Sequence, residues 1–518
     1  METLHIRQFA ARYRLPQSAL AQRERLDKVL ATILDEALER ALERVGLASD
    51  EAICIRRLIV PVHLRLSRGD SALALDWSLA LAGAIKRAAG GAHNMNLVHY
   101  GAPIHALIDL ASGVTMGDYS RAWAWKQMGL WRAGERPHDR TAVQEFVRAL
   151  CEQPAMIVPV LRSLAEAHVL QHLAIRLDVE QWTALAQAAL SAVGASARLI
   201  EPEHAASPAP CSPFQRQKAR YRVAASQLAS SLTELARQRP EVGMAMGSLV
   251  LLDMDPGIFR SGEEQVRALV CAMAAILSPA SASGSAASHT VEDLSEGEPS
   301  RQAFLTVRTG DQGFDDSIES TFEAANVCIE RELQLKPPAV PSSDERPMPT
   351  VRRRAMSRYG GLLFLLGVIE DLGLPDEMLA HTAFAGRFLR WTLHRLALAL
   401  VPGEPNDPAV LAFAGLLPDA DPPSAGEDPY SDNEQHVIEG LVTRIVEELQ
   451  ARLDPLKLPT ADVLPFVCSR RAEIIADPGW IEVRLSLNDV STDIRRVGLD
   501  LDLGYLPWLG VVVRFLYE

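Results

Sequence analysis

From Leu26 onward the apolar positions Val29, Leu30, Ile33, Leu34, Ala37, Leu38, Ala41, Leu42 and Val45 recur every three or four residues, which predicts an amphipathic helix over 26–45 with Gly46 as its C-terminal cap. The period then changes. Leu58, Val60, Val62, Leu64 and Leu66 alternate with Arg57, Ile59, Pro61, His63 and Arg65, the pattern of a half-buried strand, and Pro61 places it at a sheet edge. A helical stretch follows over 72–89 and ends at Gly90-Gly91. Further helical periods cover 141–150, 158–173, 179–193, 216–237, 263–277, 318–335, 361–372, 384–400 and 433–453. Strand patterns are few: 303–308, 481–487 and 511–517. The expected fold class is α+β, predominantly α-helical, a helical body with a few strands near the N- and C-termini, and one alternative has those termini meet in a small sheet.

Four breaks divide this pattern. Residues 201–213 carry four prolines, 278–300 is a Ser/Ala/Gly stretch turning acidic, 336–350 holds five prolines, and 418–432 is rich in Pro, Asp and Gly. Such compositions make linkers and long exposed loops. They imply three domains: an N-terminal helix/strand and helical domain over 1–200, a middle helical domain over 214–335 with a flexible insert near 278–300, and a C-terminal domain over 351–518 with a long loop near 418–432.

Composition narrows the class without naming a reaction. At 518 residues, 48% hydrophobic and 23% charged, the chain has the usage of a folded globular protein and is too long for one core. A net charge of −14 argues against a broad nucleic-acid footprint, which needs clustered cations. The six cysteines are scattered with no C-x-x-C spacing, so neither a zinc site nor a disulfide framework is expected and a reducing cytoplasm fits. No segment reaches the roughly 20 apolar residues of a membrane helix, and the N-terminus lacks the signal-peptide pattern.

Several constellations could carry chemistry. The apolar run 248–252 ends in Asp253 and Asp255, and carboxylates at i and i+2 beyond a strand point to one side, where they can hold a divalent metal or divide nucleophile and acid roles. This resembles the first motif of haloacid-dehalogenase-type phosphatases, with Gly310-Asp311-Gln312-Gly313-Phe314-Asp315-Asp316 as a metal-binding partner, but the lysine such enzymes need between the two motifs is missing. A helix end capped by acids before a Pro256-Gly257 turn explains the same residues. His168 and His172 stand at i, i+4 on a predicted helix without a third ligand. Asp500-Leu501-Asp502-Leu503-Gly504 starts like a calcium loop and then lacks its Glu. Arg352-Arg353-Arg354 with Arg358 forms a dense basic cluster between a Pro-rich linker and a helix, either a solvated charge run or a dock for a phosphate or an acidic partner. Trp123 and Trp131 lie about two helical turns apart with Trp125 pointing elsewhere, aromatics that serve a core or an interaction hot spot. No phosphate-binding loop and no nucleophile elbow occurs.

The last stretch is the most specific. Arg495-Arg496-Val497-Gly498-Leu499-Asp500 leads through Gly504-Tyr505-Leu506-Pro507-Trp508-Leu509-Gly510 into Val511-Val512-Val513-Arg514-Phe515-Leu516-Tyr517. A chain finishing on a β-branched, aromatic run has its end tied into a sheet or a partner. This run, together with Gly360-Gly361-Leu362-Leu363-Phe364-Leu365-Leu366 through Leu372-Gly373-Leu374-Pro375, Asp407-Pro408, and the N-terminal helix followed by Ile55-Arg56-Arg57-Leu58, resembles the tape-measure-type proteins of contractile injection systems, encoded in phage-tail-like particle gene clusters. The resemblance covers about a quarter of the chain. It implies a non-enzymatic structural or assembly component acting by contacts with protein components of the particle, made in the cytoplasm and incorporated in the assembled particle, with no cofactor, no metal, no nucleic acid and no membrane span. A ruler would be one extended helix, whereas Pro-rich breaks and globular segments read as a folded assembly factor. Within the run, Arg495, Arg496, Asp500, Tyr505, Pro507, Trp508 and Gly510 are expected to form a structural corner that delivers the closing strand to its sheet or partner. A helical adaptor unrelated to such particles, and the phosphatase built on Asp253 and Asp255, are the alternatives.

Overall fold

In the computed structural model the chain is described over residues 11–15, 17, 22–33, 38, 40, 52–89, 97–134, 137–200, 226–278, 352–423 and 430–518. The predicted helix over 318–335, the strand over 303–308, the Gly310–Asp316 acidic motif and most of the linkers lie outside these residues, as do Val45 and Gly46. The fold is predominantly helical α+β.

Near the N-terminus, α1 (Arg23–Thr32) packs on α2 (Asp70–Ala89) around Val29, Ile33, Leu73, Trp77 and Leu81. Between them the expected strand over 58–66 does not join a sheet; pairing occurs instead at β1 (Ala52–Ile55), antiparallel to β2 (Leu97–Tyr100). The alternating segment still buries its Val60, Val62 and Leu64 side in part against the α1–α2 cluster. Arg25 fixes its far end, donating to the carbonyls of Leu66 and Arg68 and to the Asp70 carboxylate.

The helical body comprises α3 (Pro103–Met116), α4 (Ala122–Gln127), α5 (Asp139–Cys151), α6 (Ile157–Glu166), α7 (Leu170–Arg176), α8 (Val179–Ala192), α9 (Gln227–Gln238), α10 (Gly243–Met254) and α11 (Glu263–Leu277), which share one core. The central member is α3, buried continuously from Ile104 to Thr115. A helix surrounded by others needs no polar face, so it shows no amphipathic period and escaped the hydrophobic-pattern reading. Pro103 at its first turn and left-handed Gly117 at its end set its limits. Residues 158–173, read as one helix, are two: His168 adopts φ 57° and breaks the run. The start of α8 is clearer in sequence, where Asp178 and Gln181 form a reciprocal capping box.

The C-terminal lobe has its own core. It runs β3 (Arg353–Ser357), a 3-10 turn over Gly360–Phe364, α12 (Leu365–Asp371), α13 (Leu374–Ala380), α14 (Leu389–Leu400), α15 (Pro408–Phe413), α16 (Asp432–Arg452), α17 (Thr460–Cys468), β4 (Ala472–Asp477), β5 (Trp480–Leu485), α18 (Thr492–Arg496), β6 (Gly504–Leu506) and β7 (Val511–Tyr517). The five strands order β3-β4-β5-β7-β6, with β5 and β7 parallel and every other pair antiparallel. Among the described residues the N- and C-terminal strands belong to separate sheets, so the alternative in which the chain ends meet in one is not realised.

One ion pair inside this lobe sets an acid limit on stability. Arg387 grips Glu434 through two bonds of 2.6 and 3.2 Å and lies 4.1 Å above the Trp391 ring, both charged side chains being buried. Glu434 also closes a capping box with Ser431 at the start of α16. Burial alone would raise the Glu434 carboxyl, but the Arg387 and Ser431 hydrogen bonds outweigh it and hold the group below its ordinary 4.5. A depressed folded value stabilises the fold fully above 4.5, and that share is lost as the pH falls from there through the folded value. Glu434→Gln should therefore be less stable than wild type at neutral pH, with the gap closing below pH 4.5, as read from urea midpoints across pH.

Candidate functional site

The sequence motifs converge where the helical body meets the C-terminal lobe. The apolar run 248–252 is helix, not strand: α10 ends at Met254, Asp255 follows, and a 3-10 turn spans Pro256–Arg260. A run apolar on all sides satisfies a buried helix as well as a buried strand, and here the body core surrounds it. Its two carboxylates then face different tasks. Asp255, fully buried, accepts from the main-chain N–H of Leu389 at 2.7 Å and so caps the start of α14, 134 positions away. Asp253 lies 3.7 Å from the Arg162 guanidinium, accepts from Ser226 at 3.5 Å, and offers its carbonyl to Arg390 at 2.8 Å.

Against this turn sits the corner expected from the C-terminal run. Leu506 pairs with Val511 across a four-residue loop that contains Pro507, Trp508, Leu509 and Gly510, and Gly510 N–H donates back to the Leu506 carbonyl at 2.8 Å. Gly510 holds φ +73°, and a Cβ there would lie 2.8 Å from Cγ of Pro256. The two-residue turn between β4 and β5 repeats the arrangement: Gly479, at φ +72°, faces Pro159 of α6, and its carbonyl accepts from Val512 N–H at 2.8 Å. Two prolines of the body thus seat against two left-handed glycines of the sheet, where any side chain would hold the surfaces apart. Trp508 is 1% exposed and Leu509 equally buried, so both fill the lobe's core rather than present themselves to a partner.

Charge completes the junction. Asp477 and Glu482, both nearly inaccessible, share Arg352, which donates to each at 2.9 Å; Asp477 also receives His105 of α3 at 3.3 Å, and Glu482 receives Arg484 at 2.6 Å. Arg353 ties β3 to Glu166 of α6 at 2.8 Å and to Asp419. The dense basic cluster divides: Arg352 and Arg353 are drawn into ion pairs, while Arg354 and Arg358 remain exposed. It opens an edge strand, with Arg352 buried in an ion-pair network and Arg354 left exposed. Desolvation lowers the Arg390 guanidinium in this junction, where Arg162 also opposes its charge.

A cleft of about 40 Å³, lined among others by Arg162, Asp253, Arg390, Asp477, Tyr505 and Gly510, remains between the surfaces. That is room for a few waters, far short of the several hundred Å³ of an ordinary ligand pocket. Comparison with protein-family models, with curated proteins and with solved structures finds no match to this chain.

The remaining site expectations divide. Arg495 reaches Asp500 at 3.1 Å and lies over the Tyr517 ring, and Tyr517 donates to the same carboxylate at 2.8 Å. Burial and the Asp500 contact push the Tyr517 hydroxyl up. Asp500 is buried while Arg495 is 57% exposed, so Arg495→Ala should remove about 1 kcal/mol or less, readable as a small shift of the urea midpoint. Arg496 is more exposed still and reaches Asp493 at 3.3 Å. Tyr505 and Pro507 are half-buried, and burial pushes the Tyr505 hydroxyl up to about 12. Asp500-Leu501-Asp502 turns structural as well: Asp502 accepts from Phe515 N–H at 2.8 Å.

Among the tryptophans the pairing differs from the helical estimate. Helix α4 stops at Gln127, so Trp131 is not on it, and it is Trp125 and Trp131 that meet, at 5.6 Å between rings, both buried. Trp123 is half-buried against the same core. His168 and His172 do not share a helix, because the φ 57° break separates them. Among the described residues no three His, Cys, Asp or Glu side chains gather to hold a metal, and no helix is long and apolar enough to cross a membrane.

Sequence reasoning missed the polar hub of the body. Asp109, buried on α3, accepts from Tyr100 at 2.8 Å, Trp125 at 2.9 Å and Arg121 at 2.7 Å. A lone carboxylate inside the apolar run Ile104 to Val114 was the available signal, since such a charge folds only with partners. Asp477 had a signal too, standing before the Pro478-Gly479 turn pair.

Proposed function

We propose that this chain is a non-enzymatic structural or assembly component of a contractile injection system, tape-measure-related in its gene set and acting through contacts with protein components of the phage-tail-like particle. The observation that carries the reading is the use made of the C-terminal run on which the resemblance is most specific: residues 495–517 build a corner, a carboxylate hub and the parallel strand β7. Asp253 and Asp255 support the same reading by bracing the junction instead of facing a substrate-sized cleft. The longest described helix, α16, has 21 residues and spans about 32 Å. Folded lobes built from helices of that length favour an assembly factor over an extended ruler. The protein is made in the cytoplasm and joins the particle there.

Affinity purification of the full chain from cells producing the particle, with deletion of its gene in parallel, tests this. Co-purification of tube, sheath or baseplate proteins, and particles altered in length or number by electron microscopy, are the expected results. Particles normal in both respects from the deletion strain, with no such protein recovered, would overturn the reading.

A further inference from the structure

The segment Arg57 to Leu66 has the burial alternation of a strand but pairs with no neighbour among the described residues. Its burial alternates residue by residue, with Leu58, Val60, Val62, Leu64 and Leu66 half-buried and Arg57, Ile59, Pro61, His63 and Arg65 exposed, Ile59 by 75%. No main-chain hydrogen bond ties positions 57–64 to another described residue. The chain is nonetheless held in place, because Val60, Val62 and Leu64 pack on the α1–α2 cluster and Arg25 clamps Leu66 and Arg68.

In an extended chain, successive residues aim their N–H and C=O groups at opposite edges. Pro61 lacks an N–H, which spoils the edge served by positions 57, 59, 61, 63 and 65. The opposite edge, served by Leu58, Val60, Val62 and Leu64, keeps its full set of donors and acceptors. A pinned row of backbone groups without a partner among the described residues is a template for an added strand.

Charge indicates what fits. From Arg56 to Gly69 there is no acidic residue, while Arg56, Arg57, His63, Arg65 and Arg68 all fall there, in a chain of net charge −14. Arg68 is paired with Asp76, but exposed Arg57, His63 and Arg65, which share the outer face, have no charged or hydrogen-bonding partner among the described residues. Opposite charges facing each other across two strands are favourable and like charges are not, so a second copy of this basic ridge is a poor occupant.

We infer that the segment Arg57 to Leu66 is a docking edge for strand addition by an acidic extended segment of a partner protein, paired through the backbone of Leu58, Val60, Val62 and Leu64 and matched by acidic side chains to Arg57 and Arg65. The edge is independent of the injection-system reading, since it follows from the segment alone.

Fluorescence anisotropy with the full-length protein tests it, using a labelled octapeptide that alternates valine or threonine with glutamate. Two further probes are the same peptide with lysine for glutamate and the glutamate peptide N-methylated along one edge. The glutamate peptide should bind at low ionic strength and the lysine peptide should not. N-methylation, or the double substitution Arg57→Glu with Arg65→Glu on the protein, should each weaken binding about tenfold, whereas Arg354→Glu on the exposed edge of β3 should leave it unchanged. Absence of binding by the glutamate peptide, equal binding of the methylated one, or indifference to the double substitution overturns the inference. A dimer in sedimentation that Arg57→Glu with Arg65→Glu dissolves would also overturn it, by assigning the edge to a second copy.

Discussion

Gly510→Val is expected to destabilise the protein by about 3–5 kcal/mol, because it combines a β-branched residue in the left-handed region with overpacking against a rigid ring. The position holds φ +73°, and its Cβ would stand 2.8 Å from Cγ of Pro256. Pro256 cannot rotate away, being fixed at the start of its 3-10 turn beside Asp255, which is itself bonded to the first residue of α14. The strain should therefore reach both the corner and the capped helix. Urea unfolding of Gly510→Ala in the wild-type and Pro256→Ala backgrounds separates the two causes. The backbone cost should persist in both backgrounds, whereas the steric share should shrink when the ring is removed. Equal loss in both backgrounds would show that the ring is not in the way.

Asp109→Ala should cost a similar 3–5 kcal/mol, since it strands three donors around a buried position. Tyr100 is fully buried and Trp125 likewise, and among the described residues each donates to Asp109 alone; Arg121, with 29% of its side chain exposed, can reach water. Arg121→Ala should accordingly cost only about 1 kcal/mol, and Asp109→Asn should fall between. Denaturant midpoints followed by the fluorescence of the buried Trp125–Trp131 pair report the loss at its source. A midpoint for Asp109→Ala indistinguishable from Arg121→Ala would remove Asp109 from the centre of this network.

Legibility followed the source of each signal. Helix α11 and strand β7 were read to the residue, Glu263–Leu277 and Val511–Tyr517, because one face of each meets a core and the period survives in the sequence. Helix α3 is surrounded on all sides and β3 begins with two arginines, so neither carries a period, and both were missed. The strand expected over 58–66 illustrates the opposite case: alternation records that one side is buried, and a hydrogen-bonded neighbour is a separate matter that the period does not encode. Within the site, the corner and its turn residues were visible as Pro507, Trp508 and Gly510. Their counterpart was not, because Asp255 and Leu389 stand 134 positions apart and are joined only by folding.

By itself, the sequence determined the helical α+β class, the apolar faces of most elements, the turn at 507–510 and a terminal strand that had to be paired, all of them consequences of local periodicity and backbone preference. Only the tertiary structure decided that Asp253 and Asp255 brace a junction, that Arg352 is buried between Asp477 and Glu482, that Trp125 rather than Trp123 meets Trp131, and that β7 lies parallel to β5. Those outcomes depend on which distant surfaces exclude water from one another. A charge or an indole takes its role from the partner that desolvates it, and that partner is chosen by packing across hundreds of residues rather than by its neighbours along the chain.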